Sequence, residues 1–392
     1  MPTYLDHAAT TPMRPQAIEA MLPFFAERFA NPSGSHRFAR DARRALDESR
    51  DRVADVLGTK PGEIVFTGCG TESDNAAIIG AVSSGGVAIC SAAEHHAVLH
   101  TVEHTRGRVV RVDAWGRIDL DGLAAALGPD VAIVSVMAVN NEVGTVTDLA
   151  PVAALVRERA PQALLHTDAV QAACWLDLRA ITPLVDLMSL SAHKFGGPKG
   201  VGVLTVRDGV RLAPIIMGGG QERERRSGTH NVAGIVALAE ALHISAAERD
   251  HENERLGALR DRLVDGITSR LDDVLETVPR HAKIAGSAHL CIAGIESEAL
   301  LYLLDEGEVC ASAASACASG AMEPSHVLAA MGVERSWAQG ALRMSLGSAS
   351  TVADVDRAVD VVVDAVARLR GVGSVGARPV VHDAVVHGVA ST

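Results

Sequence analysis

The chain has 392 residues and a formal net charge of −12; it is 48% hydrophobic but only 3% aromatic. That length suffices for one large or two medium domains, with cores built from Ala, Val, Leu and Ile. The acidic balance, without any long basic block or apolar run of membrane-spanning length, argues against direct nucleic-acid binding and against a membrane partner.

Elements taken in chain order begin with MPTYLDHAATTP, which has neither the positive segment nor the apolar run of a secretory leader. Strand candidates follow at Glu63 to Thr67, Val87 to Ser91, Arg108 to Val112, Val131 to Met137, Ala163 to Asp168, Asp186 to Leu190 and Val201 to Val206. Amphipathic stretches lie between several of them, at Glu72 to Val82, Leu120 to Leu127 and Leu149 to Arg159. Alternating β and α elements predict a mostly parallel sheet covered by helices, with the ligand site at the carboxyl ends of its strands. A long helical pattern from Val232 to about Leu271 is expected to link this α/β unit to a smaller one. The smaller unit reads as α+β, with strands near Ser287 to Ile292, Val309 to Ser312 and Ala341 to Ser345, and helices near Glu296 to Leu304 and Val352 to Arg370. From Gly371 onward periodicity is lost. The six cysteines, Cys69, Cys90, Cys174, Cys291, Cys310 and Cys317, form no C-x-x-C pair, so a cytoplasmic protein with reduced thiols is expected.

The strand ends carry the polar residues. Gly68-Cys69-Gly70-Thr71 opens a helix, where free N–H groups and the macrodipole favour an anion; a tight turn with a Thr cap is the plainer reading. The loop also lacks the full dinucleotide fingerprint and the Walker lysine. His95, in Glu94-His95-His96, suits proton transfer. His96, His100 and His104 repeat every four residues, a spacing that admits a metal but lacks the H-E-x-x-H order, so solvated helix histidines are expected. Asn140 and Asn141 serve equally as a turn or as amide groups at a site edge. Asp168 closes an apolar strand, either as a helix cap or as a carboxylate that keeps a heterocyclic nitrogen protonated. Ser191-Ala192-His193-Lys194 closes another and opens a glycine-rich loop; its lysine is either a loop residue or an amine held to form a Schiff base. A phosphate turn, a ring-stacking histidine, an aspartate for a pyridine nitrogen and a reactive lysine together fit pyridoxal 5′-phosphate better than any other cofactor.

The segments YLDHAATTP (Tyr4 to Pro12), NPSGSHRFAR (Asn31 to Arg40), GTESDN (Gly70 to Asn75), EHHAVL (Glu94 to Leu99), NNEVG (Asn140 to Gly144), HTDAVQ (His166 to Gln171), SAHKFGGPKGVG (Ser191 to Gly202), GGGQERERRSGT (Gly218 to Thr229), SAC (Ser315 to Cys317), EPSHVL (Glu323 to Leu328) and LRMSLG (Leu342 to Gly347) run through nearly the whole chain. In these segments it resembles the cysteine desulfurases of the NifS/IscS type, within the class-V aminotransferase-like, fold-type I pyridoxal-phosphate enzymes. The resemblance implies a large domain over 14–258 with a mostly parallel seven-stranded sheet. It implies a small α+β domain from 1–13 and 259–375, and leaves 376–392 as a tail.

By the same resemblance Lys194 carries the cofactor, His95 stacks on its ring and moves protons, and Asp168 pairs with its pyridine nitrogen. Gln171 and Asn141 lie near its ring hydroxyl, while Gly70, Thr71, Ser191 and His193 hold its phosphate. Thr229 is expected to reach the phosphate site of a partner subunit, which implies a homodimer. Arg343 is expected to clamp the carboxylate of L-cysteine, with Asn31 nearby. Cys317 is the expected nucleophile that takes the sulfur as a persulfide, releasing L-alanine, and passes it to an iron–sulfur scaffold or a tRNA-thiolating enzyme. From the residues alone Cys317 reads first as a buried inert thiol. Cys310 is expected to be packed in a strand, and Cys69 to lie near the phosphate turn without a catalytic part. The alanines of Ala311-Ser312-Ala313-Ala314-Ser315-Ala316 replace part of the serine- and glycine-rich run frequent before the family's nucleophile, which bears on the reach of that segment. Rival readings are a selenocysteine lyase or aminotransferase on the same fold, a metal-binding or sulfur-relay protein, and a nucleotide-binding module.

Overall fold

Strands of three to five residues, whose successive side chains bury on opposite faces, set the large sheet. The computed structural model describes residues 2–313 and 325–375; Cys317 and the 376–392 tail lie outside them. A two-residue strand β1 (Thr3–Tyr4) precedes the helices Pro15–Met21 and Arg37–Leu57. Then come β2 (Ile64–Thr67), β3 (Val87–Ser91), β4 (Arg108–Val110), β5 (Val131–Ser135), β6 (Leu164–Asp168), β7 (Leu187–Ser191) and β8 (Gly202–Val206). Among the described residues these seven form one sheet in the order β2-β8-β7-β6-β5-β3-β4. Only β8 runs antiparallel to its neighbours, β2 and β7; the other pairs are parallel. The expected mostly parallel α/β sheet is therefore present.

Successive residues of a strand face opposite sides of the sheet. Ile64, Phe66, Ile89, Val134, Met188 and Val203 enter one core, with Val53 and Leu57 of the helix Arg37–Leu57 and Val152 of the helix Leu149–Arg159. Val65, Ala88, Cys90, Ile133, Leu187 and Leu204 face the other side, against Ile78, Val98 and Val102. Both faces are covered, as a largely parallel sheet requires.

Strands β9 (Val274–Glu276), β10 (Ser287–Ile292), β11 (Val309–Cys310) and β12 (Ala341–Ser345) follow. An antiparallel sheet in the order β12-β10-β9 packs Leu290, Ile292, Leu342 and Met344 against Val355 and Val362 of the helix Val352–Val375. That helix runs past the expected end at Arg370. The 37-residue helix Val232–Thr268 serves both cores: Ile235, Leu238 and Leu242 enter the first, and Leu256, Leu259, Leu263 and Ile267 the second.

The N-terminal segment joins the small sheets to the strand-end loops. β1 lies parallel to β11, Asp6 bridges to Ser345, and Thr11 and Arg14 donate their N–H groups to the carbonyls of His193 (3.1 Å) and Gly196 (2.9 Å). One expectation needs correction here. Cys310 does lie in a strand, but it is only partly covered, because β11 is two residues long and, among the described residues, pairs with β1 alone.

Candidate active site

The carboxyl ends of β2, β6 and β7, with the segments that follow β3 and β5, open into one cavity of about 340 Å³. Its lining includes Gly70, Thr71, His95, Asn141, Asp168, Gln171, Ser191, His193, Lys194 and Arg343, together with Ala8, Ala9, Cys69 and Asp74.

The helix Gly70–Val82 begins directly after β2. Its Glu72 N–H is capped by Cys69 Sγ at 3.4 Å, while the N–H groups of Gly70 and Thr71 have no preceding helical carbonyl to bond. A Cβ on Gly70 would lie 2.7 Å from Val170 Cγ2 and 3.3 Å from Ser191 Cβ, so only glycine lets the helix start this close to β7.

Asp168 ends β6, buried, and its Oδ1 accepts the Val170 N–H at 2.8 Å. It thus caps its own turn and still lines the cavity. Burial pushes its pKa up to about 6, opposed by the Val170 hydrogen bond and the charge of Lys194. Asp74, also buried, is raised well above the usual carboxylate range by burial and then by the charge of Asp168. Beneath them His166 is pinned between Ser135 Oγ (2.8 Å) and Ser189 Oγ (2.9 Å), and burial lowers its pKa to about 3, so it stays neutral.

Lys194 sits in a short 3₁₀ turn after β7 and donates from Nζ to the carbonyls of Ala8 (2.6 Å) and Ala9 (2.8 Å). Burial, then the charge of Arg343, lowers its pKa to about 8. His95 caps the helix His96–His104: Nδ1 accepts the Ala97 N–H at 3.1 Å, which leaves the neutral ring's proton on Nε2. Desolvation, and next the charge of Lys194, holds its pKa below that of a free histidine. His193 bonds Thr10 Oγ1 through Nδ1 at 3.1 Å, and burial followed by Lys194 lowers its pKa to about 4.

The two asparagines have different roles. Asn140 is consumed by the loop, donating to the Ala93 carbonyl (2.9 Å) and accepting the N–H groups of Glu142 (2.9 Å) and Val143 (3.0 Å). Asn141 keeps a buried Oδ1 without a partner among the described residues, and its carbonyl receives Arg343 Nη1 at 2.9 Å. Gln171 Nε2 donates to the Ala8 carbonyl at 2.8 Å. Thr229 and Asn31 are exposed and do not line this cavity; Asn31 Oδ1 caps the Ser33 N–H at 3.0 Å.

Some carboxylates near the site carried no sequence signal. Glu94, preceding His95, is buried, accepts Ser91 Oγ (2.8 Å) and the Met137 N–H (2.9 Å), and is pushed up by burial to about 8. Glu142, raised by burial to about 7, is held by the Ser325 hydroxyl. Nothing in GTESDN or EHHAVL marks Asp74 or Glu94 as inward; that follows only from which helix face meets the sheet. The histidine stripe departs in part from the solvated expectation. His100 and His104 are exposed, but His96 is half-covered between His100 (ring centroids 4.5 Å) and His326 (4.4 Å).

Residues 3–358 match the family described as Aminotransferase class-V. The chain belongs to that family. Among curated relatives of this class-V chain, a cysteine desulfurase of Gluconacetobacter diazotrophicus is 44% identical over 377 residues, covering 94% of each chain. An IscS-like cysteine desulfurase of Mycobacterium tuberculosis is 44% identical over 383 residues, covering 94% of this chain and 97% of its own. A solved structure titled NifS-like protein is 34% identical, with a TM-score of 0.88, and covers 94% of this chain and all of that one. The resemblance read in the sequence is borne out, and with it the fold class and the pyridoxal-phosphate dependence of the family.

The cavity fits that cofactor on its own terms. Its volume lies in the range of small-ligand sites, about 300–1,000 Å³. A helix N-terminus offers N–H groups to an anion, Asp168 supplies a buried carboxylate, and burial lowers the pKa of the Lys194 amine. Among the described residues, Oδ1 of Asp74, Oδ1 of Asn141 and Nε of Arg343 are buried polar atoms of this lining without a hydrogen-bond partner.

Proposed function

We infer that the chain is a pyridoxal-phosphate-dependent cysteine desulfurase, converting L-cysteine to L-alanine and leaving the sulfur on Cys317 as a persulfide. The observation that carries the site assignment is the convergence of Lys194, His95, Asp168 and Arg343 on one cavity from four separate strand ends or strands. When bound, the cofactor supplies a ring that stabilises negative charge at the substrate Cα.

The residues of the chain do the rest. Gly70, Thr71, Ser191 and His193 hold the phosphate, and Asp168 keeps the ring nitrogen protonated. Asn141 and Gln171 set the ring's orientation. Lys194 would hold the cofactor, and its amine would take the substrate Cα proton and return it. His95, with its proton on Nε2, would give and take protons at the site. Arg343 receives the substrate carboxylate. The Cys317 thiolate attacks the substrate sulfur; the new S–S bond takes the sulfur as the C–S bond breaks, and the electron pair left on carbon is protonated to give alanine. The persulfide sulfur then goes to an acceptor protein, an iron–sulfur scaffold or a tRNA-thiolating enzyme.

We also propose a homodimer in which Thr229 of one protomer reaches the phosphate site of its partner and Asn31 lies beside the substrate. Leu22, Phe25, Phe29 and Phe38, in the stretch that also carries Asn31, and Met217, on the loop before Thr229, are exposed apolar side chains, Phe29 at 67% and Met217 at 82%, and the rings of Phe29 and Phe38 lie 6.4 Å apart. That concentration supports a covered surface. A large domain over 14–258, a small one from 1–13 and 259–375, and a cytoplasmic site of action complete the reading. Cys317→Ser tests it: alanine release from L-cysteine is abolished while cofactor absorbance remains. Full activity in that variant overturns the assignment.

A further inference from the structure

Among the described residues strand β2 is an edge of the large sheet, with β8 as its one strand neighbour. Every second residue of an edge strand turns backbone groups outward, and these need partners. Here side chains supply them. The Gly62 carbonyl receives Arg223 (3.3 Å) and Arg225 (3.1 Å), and the Ile64 carbonyl receives Arg50 at 2.6 Å. The Phe66 N–H donates to Glu222 Oε2 at 3.0 Å, and the Gly68 N–H to Glu72 Oε2 at 2.8 Å. Arg226 closes the row, donating to both oxygens of Glu72 at 2.8 and 3.3 Å.

The loop that provides most of these groups is strained. Glu222, Arg223 and Glu224 have φ of 48°, 57° and 65°, a run of three non-glycine residues in the left-handed region. Such a run persists only where the surroundings over-determine it. Glu222 does so: buried, it accepts from Arg50 twice (2.6 and 2.9 Å), from His230 (2.7 Å) and from Phe66, and these bonds hold its pKa near 2 against burial.

We propose that Glu222 and Arg226 are positioning residues for the cofactor phosphate, through a row of side chains standing in for a missing outer strand. The inference rests on reading Gly68–Thr71 as the phosphate turn. Glu72 lies in the first turn of the same helix, where an unpaired carboxylate competes with a bound phosphate for the positive helix end. Arg226 neutralises it and fixes the Gly68 N–H, so the turn presents its N–H groups to the phosphate alone.

The test uses the full-length chain, stripped of cofactor and titrated with pyridoxal 5′-phosphate and with pyridoxal, which lacks the phosphate. Arg226→Met is expected to bind pyridoxal 5′-phosphate about tenfold more weakly, the scale of one lost charge-assisted hydrogen bond, with pyridoxal unchanged within about twofold. Adding Glu72→Gln, which removes the uncompensated charge but keeps an acceptor for the Gly68 N–H, is expected to restore most of the loss. Glu222→Ala is expected to show the same phosphate-selective loss; where it does not fold, Arg226→Met and Arg226→Lys carry the test. Equal weakening of both ligands, wild-type binding of pyridoxal 5′-phosphate by Arg226→Met, or no recovery with Glu72→Gln overturns the proposal. A wild-type chain that binds neither ligand overturns instead the reading of the cavity as the cofactor site.

Discussion

Arg343 is fixed to Asp6 by a 2.7 Å bond from Nη2 to Oδ1, and this ties the central residue of β12 to the segment whose next carbonyls, Ala8 and Ala9, receive the Lys194 amine. With Nη1 spent on the Asn141 carbonyl, Nε is a buried donor without a partner among the described residues. Replacing Arg343 by Ala is expected to raise the KM for L-cysteine about 10- to 100-fold, the scale of a lost charged hydrogen bond. Lysine, which lacks the planar fork, is expected to recover only part of it. Steady-state alanine formation measures both; an unchanged KM in Arg343→Ala removes it from the substrate site.

The depressed pKa of Lys194, about 8, places its switch from ammonium to nucleophilic amine within an accessible range. Attachment of Lys194 to the cofactor carbonyl in the stripped protein is expected to speed up with rising pH and level off above about 8. Stopped-flow absorbance follows this directly. A midpoint near 10.5, the ordinary lysine value, contradicts the burial argument.

Asp168 has the opposite sign. Its folded-state pKa is raised, so between about 4 and 6 the folded chain holds a proton that the unfolded chain has lost. The stability this contributes is present at low pH and lost as pH rises through about 6. Asp168→Asn keeps an acceptor for Val170 and removes the charge. Without cofactor, the variant is expected to be more stable than wild type at pH 7.5 by about 1–3 kcal/mol, from about 1.4 kcal/mol per pKa unit, while binding cofactor more weakly. Thermal melts and cofactor titration at pH 5 and 7.5 distinguish the two effects.

Gly286 has no room for a methyl group: its Cβ would lie 2.2 Å from Cη2 of Trp175, a side chain that packs against both cores. Gly286→Ala is expected to destabilise by about 1–3 kcal/mol through overpacking. Trp175→Phe in the same chain, which withdraws the far ring atoms, is expected to recover part of the loss. Denaturant unfolding of the two single variants and the double one gives the coupling between them.

All seven strands of the large sheet were legible as strand candidates; six are largely buried and have little polar sequence to obscure them, whereas β4 is a three-residue edge strand with Arg108 and an exposed Val109. The direction of β8 was not. A short return from Lys194 to Gly202 allows an antiparallel neighbour, and the sequence of a fully buried strand reads alike in either orientation. The helix Arg37–Leu57 escaped notice because its inward positions include Ala39, Ala42, Ala45 and Ala54, small side chains among many charges. The candidate site was legible wherever a polar residue ended an apolar run, as at Asp168 and Lys194. It was not legible where the role depends on loop geometry, as in the division of labour between Asn140 and Asn141. Arg50 and Glu222, 172 positions apart, meet only in the folded chain.

The helix Val232–Thr268 has a mechanical consequence. At 1.5 Å per residue it is a rod of about 56 Å, shared lengthwise by the two cores. Relative motion of the cores must flex this beam, since no swivel separates Leu242 from Leu256. Any opening around a substrate is thereby confined to small angles, and an isolated half of the molecule would carry a bare apolar stripe along its half of the rod.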